Sequence, residues 1–220
     1  MNRSYAVSWS GGKDSALALY KAQSEGMNIS YLFTMFTPDG FTGAHRVPRE
    51  IIQKQAEAIG IPLVEGVATW GTYEQEFKSR LSALKEKGVI GCIFGDIDLD
   101  EHIEWCRRVC DDVGLQAVHP LFGNTQEQLL KEFVAEGFET IIVVVKQGKL
   151  GTEYLGRKLD VELIEEISAL EISASGEFGE YHTLVVDGPI FRTSFKENLQ
   201  RLKTSITTSD GYAFWTLTAD

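Results

Sequence analysis

The fold is decided by the stretch SWSGGKDS, which occupies residues 8–15. The short apolar run before it, residues 5–7, predicts a buried strand, and the run after it, residues 16–22, predicts a buried helix. A helix start leaves backbone N–H groups unpaired and carries the positive end of the helix dipole, equivalent to about half a charge. The two glycines expose the backbone to an anion, and Lys13 adds a full positive charge. The stretch therefore predicts a loop that binds a polyphosphate.

Two common phosphate loops do not match this stretch. The Walker pattern requires Ser or Thr directly after Lys, but Asp14 follows Lys13, and the dinucleotide fingerprint requires separated glycines. The stretch instead resembles the pyrophosphate loop of the N-type ATP pyrophosphatases, which holds the β,γ-pyrophosphate of ATP while ATP is cleaved to AMP and pyrophosphate. That resemblance implies ATP as a ligand. Because a carboxylate beside a phosphate is repelled, we expect Asp14 to act near Mg²⁺. The alternative is a glycine-rich turn with a Ser or Asp helix cap.

Composition limits the classes of protein that fit. The chain has 220 residues, of which 43% are hydrophobic and 24% are charged, as is typical of a globular protein with a real core. No apolar run is long enough to span a bilayer, the N-terminus lacks a targeting pattern, and the three cysteines form no secreted disulfide framework. We therefore expect a cytoplasmic protein with no membrane partner. Its net charge of -11 disfavours nucleic acid as a partner.

Alternating strand and helix patterns extend through the first two thirds of the chain. Strands are predicted at residues 5–7, 30–36, 62–67, 89–94, 116–118 and 139–145, with helices between them. This order favours an α/β fold with a doubly wound, mainly parallel sheet. We expect residues 1–148 to form a nucleotide-binding domain. Residues 149–220 are expected to form a smaller α+β part that binds the substrate, with a strand at 184–187, β segments at 191–195 and 212–217, and a helix over 196–203.

In a parallel sheet the ligand lies beyond the carboxyl ends of the strands. The loops at residues 8–15, 36–48 and 95–100 all leave that edge, so we expect them to share one site. His45 in the second loop is a candidate for contact with nucleotide or substrate. Asp96 in the third loop is a candidate for holding Mg²⁺ or an amine, the alternative being an acidic residue near a helix cap.

A second motif, GEFGEYHT, occupies residues 176–183. Its two glycines let the backbone bend, and its two carboxylates converge near an imidazole, which suits acid–base chemistry. The alternative is a glycine-rich hairpin with solvated acids. The three cysteines have core spacing: Cys106 and Cys110 lie four apart on one helical stripe, and Cys92 lies within an apolar strand.

Taken in order, several segments are similar to those of the diphthine–ammonia ligase family, also called diphthamide synthase or ATP-binding domain 4. They are the loop at 10–15, GDI at 95–97, WCRRVC at 105–110, PLF at 120–122, GEFGEYHT at 176–183 and DGP at 187–189. The family belongs to the adenine nucleotide alpha hydrolase-like superfamily. The resemblance implies a ligase that activates a carboxylate as an acyl-adenylate and amidates it with ammonium, as in the conversion of diphthine to diphthamide on translation elongation factor 2.

The site predicted from these observations has three groups of residues. The predicted catalytic residues are Asp14, Glu177, Glu180 and His182. The predicted nucleotide-binding residues are Ser8, Ser10, Gly11, Gly12, Lys13, Asp14, Ser15, His45 and Gly95. The predicted Mg²⁺ ligands are Asp14 and Asp96.

Two other functions fit the phosphate loop. One is a tRNA-modifying enzyme, which the acidic composition and the lack of paired catalytic cysteines disfavour. The other is a regulatory module that binds nucleotide without turnover, which the intact Lys13-Asp14-Ser15 disfavours. Fold alone does not choose among them, because this type of sheet hosts many functions.

Overall fold

The computed structural model describes residues 3–196 and 203–218. In chain order, its strands are β1 (Ser4–Ser8), β2 (Ile29–Phe36), β3 (Leu63–Val67), β4 (Val89–Ile93), β5 (Gln116–Val118), β6 (Glu139–Lys146), β7 (Tyr181–Asp187), β8 (Lys203–Ser209) and β9 (Tyr212–Thr218). The α-helices are α1 (Lys13–Ser24), α2 (Arg49–Ile59), α3 (Tyr73–Glu86), α4 (Asp100–Val113), α5 (Gln126–Ala135) and α6 (Val161–Ser168).

The first five strands form one parallel sheet in the order β3-β2-β1-β4-β5. Its two faces are covered by different helices. Apolar side chains of α1 and α2 belong to one core cluster, and those of α3 and α4 belong to another. The predicted doubly wound α/β fold is therefore confirmed. Strand β1 is central and has β2 and β4 as neighbours, so the loop after β1 lies where the order of the strands reverses, which is where such sheets bind ligands.

Helix ends follow the local sequence. Gly60 and Gly114 end α2 and α4 in the left-handed conformation, with φ of 78° and 68°, which glycine adopts at no steric cost. Thr125 caps α5 by accepting a hydrogen bond from the N–H of Gln128, whose side chain bonds back to Thr125. These signals explain why the helices of the first two thirds of the chain were readily predicted.

The remaining four strands form an antiparallel sheet in the order β7-β6-β9-β8. Residues 139–145 were predicted to close the parallel run, and this was wrong: β6 pairs with β7 and β9 in the second sheet, which thus begins before residue 149. The cause is that β6 is buried against core clusters on both of its faces, a pattern that parallel and antiparallel sheets share.

Two further predictions in the C-terminal part have different outcomes. Residues 191–195 form bends and irregular backbone rather than a β segment. The helix expected over 196–203 falls almost entirely on residues 197–202, which lie outside the described residues. Strand β8, which was not predicted, is polar and exposed along its length and is held by its pairing with β9. Within residues 3–196 and 203–218, no helix has the length and apolar character needed to cross a bilayer.

Candidate active site

The loop between β1 and α1 is held in shape by its own serines. Gly12 directly precedes α1. Its N–H donates to Oγ of Ser10 (3.2 Å), and its carbonyl accepts from Oγ of Ser15 (3.0 Å). The two serine hydroxyls lie 3.1 Å apart, within hydrogen-bonding distance. An anion bound at this position would therefore contact an ordered helix N-terminus.

Neither glycine of the loop could be replaced by a residue with a side chain without a steric clash. Gly11 has φ of 82°, and a Cβ there would lie 2.7 Å from Cδ1 of Ile52. A Cβ at Gly12 would lie 2.5 Å from Nε2 of His45. The absence of side chains at these positions thus lets α2 and the loop that carries His45 pack directly against the phosphate loop.

A buried glutamine in α2 fixes the loop from behind. Gln55 is 0% exposed. Its Oε1 accepts from Nε1 of Trp9 (2.8 Å), and its Nε2 donates to the carbonyls of Gly11 (3.1 Å) and Val185 (2.7 Å). The side chain of Gln55 therefore joins Trp9 and Gly11 of the phosphate loop to strand β7. Sequence reasoning missed Gln55; the available signal was a polar residue on the apolar face of α2.

We expect Gln55→Leu to destabilise the protein by about 3 kcal/mol, because it leaves a buried indole N–H and two carbonyl groups short of partners. Urea unfolding followed by circular dichroism measures this change. Gln53→Leu in the same helix is the matched control, since the side chain of Gln53 bonds to Glu65 at the surface and its loss should cost less than about 0.5 kcal/mol. Equal destabilisation by the two changes would contradict the assigned role.

Strand β7 brings the second motif onto the phosphate loop. The N–H of Lys13, the first residue of α1, donates to Oγ1 of Thr183 (3.1 Å). The N–H of Val185 donates to the carbonyl of Gly11 (2.9 Å). These bonds place the motif at residues 176–183 beside the loop at residues 8–15, although the two are far apart in the chain.

The Lys13 ammonium lies at the centre of the site. Its Nζ donates to Oδ2 of Asp14 (2.8 Å) and to the carbonyl of Ser175 (2.5 Å), and it lies 5.4 Å from the ring centroid of Tyr181. Burial alone would lower the pKa of Lys13, but the charges of Asp14, Tyr181 and Glu177 raise it above its ordinary value. Lys13 is therefore a permanent cation.

These elements surround a cavity of about 240 Å³. Most of the predicted site residues line it: Ser8, Ser10, Lys13, Asp14, Ser15, His45, Gly95, Asp96, Glu177 and His182. The lining contains two chemically different groups of residues, which we call its two sides. The phosphate side is the N-terminus of α1 with Lys13, and the acidic side is Asp14, Asp96 and Glu177, of which Asp14 is bonded to Lys13.

Two histidines meet on the phosphate side. The rings of His45 and His182 have centroids 4.7 Å apart. Burial lowers the pKa of His182 to about 4, with Lys13 adding to the effect. Burial also lowers the pKa of His45, and His182 and Lys13 lower it further. Both rings are therefore neutral near pH 7 and act as hydrogen-bonding groups rather than as charges.

Glu177, on the acidic side, has an unusually high pKa for a carboxyl group. Burial and the neighbouring Asp14 carboxylate raise its pKa to about 7, although Lys13 acts in the opposite direction. A carboxylate that titrates near pH 7 is suited to general base catalysis.

Glu180 lies outside the lining of the cavity. Its side chain is buried, and its two carboxylate oxygens accept from the N–H groups of Ser173 and Phe178, each at 3.1 Å. The structure therefore places Glu180 where it shapes the loop that presents Glu177, and it does not bring the two carboxylates together on the cavity.

Asp96 is held by two neighbours on α4. His102 Nδ1 lies 3.5 Å from its Oδ1, and the Cys106 thiol donates to its Oδ2 (3.6 Å). His102, which also lines the cavity, was missed by sequence reasoning; its hydrogen bond to Asp96 raises its pKa.

In the described part of the chain, no three His, Cys, Asp or Glu side chains cluster to hold a metal. Asp14 and Asp96 are nevertheless a donor set that fits Mg²⁺ bound with a nucleotide, since Mg²⁺ takes one or two carboxylates together with phosphate oxygens.

A second glutamine, also missed by sequence reasoning, joins the loops of the acidic side. Gln126 begins α5, and its Nε2 donates to Oδ2 of Asp98 (2.7 Å). Its Oε1 accepts from Oγ of Ser173 (2.7 Å) and from the N–H of Ser175 (3.2 Å). Gln126 therefore fixes the loop after β4 relative to the loop before β7.

The cysteines are placed in the core, as their spacing indicated. Cys92, Cys106 and Cys110 are all free and buried. Burial raises the pKa of each thiol, in the case of Cys110 to about 12. Thiols in this state are poor nucleophiles, because the thiolate is the reactive form.

The fold and the site define a class: an α/β protein with an anion-binding loop after the central strand of a parallel sheet. Family models give the particular family. The model of the diphthamide synthase N-terminal domain matches residues 3–117, and that of the diphthamide synthase C-terminal domain matches residues 125–214. The chain belongs to the diphthamide synthase family, and the resemblance seen in its motifs is confirmed.

Individual proteins are similar to the chain over most of its length. The diphthine–ammonia ligase of Rattus norvegicus is 28% identical over an alignment of 209 positions that covers 83% of this chain and 78% of that protein. The diphthine–ammonia ligase of Danio rerio is 28% identical over an alignment of 229 positions that covers 93% of this chain and 89% of that protein. A solved structure, the U34-tRNA thiolase NcsA from Methanococcus maripaludis with its 4Fe–4S cluster, aligns with 61% of this chain and 58% of its own at 16% identity and a TM-score of 0.39.

Proposed function

We propose that the protein is an ATP-dependent ligase that adenylates a carboxylate and converts it to an amide with ammonia, as its relatives' name, diphthine–ammonia ligase, describes. The observation that carries the proposal is the two-sided cavity. It joins an anion-binding loop with a permanent cation, Lys13, to a carboxylate with a pKa of about 7, Glu177. The first side suits ATP, and the second suits an amine nucleophile that must lose a proton.

In the first step, a carboxylate oxygen of the acceptor attacks the α-phosphorus of ATP. The bond between the α-phosphorus and the bridging oxygen breaks, and pyrophosphate leaves with the electron pair. Lys13 and the N-terminus of α1 stabilise the charge that develops on pyrophosphate, and Ser10 and Ser15 keep the loop in shape. Asp14 and Asp96 would hold Mg²⁺, which would supply further charge neutralisation when bound.

In the second step, ammonia attacks the carbonyl carbon of the acyl-adenylate, and AMP leaves. We propose that the Glu177 carboxylate binds ammonium and accepts its proton, which frees the nitrogen lone pair for attack. His182 and His45 are neutral and lie on the phosphate side, where they can donate hydrogen bonds to the nucleotide. Glu180 serves as a positioning residue through the loop that carries Glu177.

The acceptor we propose is diphthine on elongation factor 2, in the cytoplasm. This follows from the name of the relatives rather than from a contact in the cavity. Strand β7 of the C-terminal sheet supplies His182 to the cavity and the loop before it supplies Glu177, and we propose that this part of the chain also receives the acceptor. The buried, weakly acidic thiols give no support to the sulfur chemistry of a tRNA-thiolating enzyme.

Product analysis of ATP turnover tests the proposal. We expect AMP and pyrophosphate to form only when ammonium and diphthine-bearing elongation factor 2 are both supplied, with one amide formed per AMP. Omitting each in turn provides the controls. ADP and phosphate as products, or turnover that does not depend on the acceptor, would overturn the mechanism.

A further inference from the structure

One buried hydroxyl at the cavity has no hydrogen-bond partner among the described residues. Ser175 is 2% exposed, and its Oγ makes no hydrogen bond to any of the residues that the structure describes. The same residue lines the cavity, beside Lys13 and Glu177. Because a buried hydroxyl without a partner is unfavourable, most such groups in proteins are hydrogen-bonded, and this one calls for an explanation.

The backbone of Ser175 is fixed on both sides. Its N–H donates to Oε1 of Gln126 (3.2 Å), and its carbonyl accepts from Nζ of Lys13 (2.5 Å). Ser173, two residues earlier, is different: its Oγ donates to the same Oε1 (2.7 Å) and accepts from the N–H of Glu177 (3.1 Å). The loop therefore pairs the hydroxyl of Ser173 within the protein, whereas the hydroxyl of Ser175, on a fixed backbone, has no partner in the described part of the chain.

We propose that Ser175 is a nucleotide-binding residue whose hydroxyl donates a hydrogen bond to a phosphate oxygen of the ATP held by Lys13. This inference rests on the proposed ATP-dependent function. The ligand is anionic because the ammonium of Lys13 is bonded to the carbonyl of Ser175 itself. A phosphate oxygen at this point is attracted by that ammonium and accepts from the hydroxyl, whereas an ammonium ion would be repelled.

Ser175→Ala tests the proposal by calorimetric titration with ATP and with inorganic pyrophosphate. We expect Kd for both to rise about tenfold, as the loss of one hydrogen bond to a charged group predicts. The melting temperature of the ligand-free variant should not fall, because the hydroxyl makes no bond within the described protein. Thr140→Val is the matched control: Thr140 is also buried with an unpartnered hydroxyl but lies in β6, away from the cavity lining.

The outcomes separate this inference from the proposed function. Unchanged binding of both ligands by Ser175→Ala, or equal weakening by Thr140→Val, would overturn the role of Ser175. A fall in the melting temperature of ligand-free Ser175→Ala would overturn it too, by indicating a structural role. If the wild type binds both ligands and the variant does not, but the wild type forms no AMP with ammonium and the acceptor, the inference stands and the proposed function fails.

Discussion

Replacement of Lys13 by methionine is expected to lower ATP turnover on the order of 10³-fold, because it removes a preorganised cation from the phosphate side of a buried site. Methionine keeps the unbranched shape of the side chain, so the change is mainly one of charge. The loss should be largest in kcat for release of pyrophosphate, since the negative charge on that group increases as the bond to the α-phosphorus breaks. A radiolabelled pyrophosphate assay measures it.

Lys21→Met is the matched control for Lys13→Met. Lys21 lies in the same helix, but its Nζ pairs with Glu132 at 2.6 Å and does not line the cavity. We expect this control to retain wild-type turnover. Both variants are compared at a temperature well below their melting points, since Lys13→Met also leaves Asp14 without its cation. Turnover by Lys13→Met within tenfold of wild type would contradict the central role given to Lys13.

Glu177→Gln is expected to lower amidation about 10³-fold while ATP binding is retained, because the amide cannot accept the proton of ammonium. In the wild type, amidation at a constant concentration of ammonium ion should rise with pH and level off above about 7, as the carboxylate loses its proton. The variant should lack this carboxylate-dependent rise. The measurement is the rate of amide formation from pH 5.5 to 8.5, with total ammonium adjusted at each pH.

The stability of Glu177→Gln provides an internal check. The folded-state pKa of Glu177 lies above its ordinary value, so the stability that its protonated form contributes is lost as pH rises through about 7. Glutamine cannot ionise, and the variant should therefore be at least as stable as wild type at pH 8. Glu180→Gln should behave in the opposite way: it turns an amide group towards a backbone N–H and lowers the melting temperature, while the pH at which the rate rises is unchanged. A variant of Glu177 that retains the rise near pH 7 would assign the proton transfer to another group.

The phosphate loop and the parallel sheet were predictable because their signals are local. Two adjacent glycines, a lysine and a strand–helix junction all fall within residues 5–22. The assignment of β6 failed for the opposite reason. A run of five β-branched residues at 141–145 predicts a buried strand, but the sheet in which it lies depends on partners at residues 181–187 and 212–218, which no local pattern specifies.

The residues of the site were also only partly predictable from the sequence. Residues that carry charge or lie in a motif, such as Lys13 and Glu177, could be found from the sequence, whereas Gln55, Gln126 and Ser175 could not. Their roles depend on hydrogen bonds between distant segments, for example from Gln55 to the carbonyl of Val185, 130 positions away. Glu180 is the opposite case. Its position in the motif predicted a catalytic role, but its carboxylate oxygens accept hydrogen bonds from the backbone.

The bonds that join the phosphate loop to strand β7 also bear on how the protein is made. Lys13 and Thr183 are hydrogen-bonded although they lie 170 positions apart, and Lys13 and Ser175 lie 162 apart. During translation the phosphate loop therefore leaves the ribosome long before the strand that completes it. Closing contacts of such long sequence separation slows folding, because the entropy of the intervening chain is lost first. The nascent chain thus carries an unfinished nucleotide site until β7 has emerged.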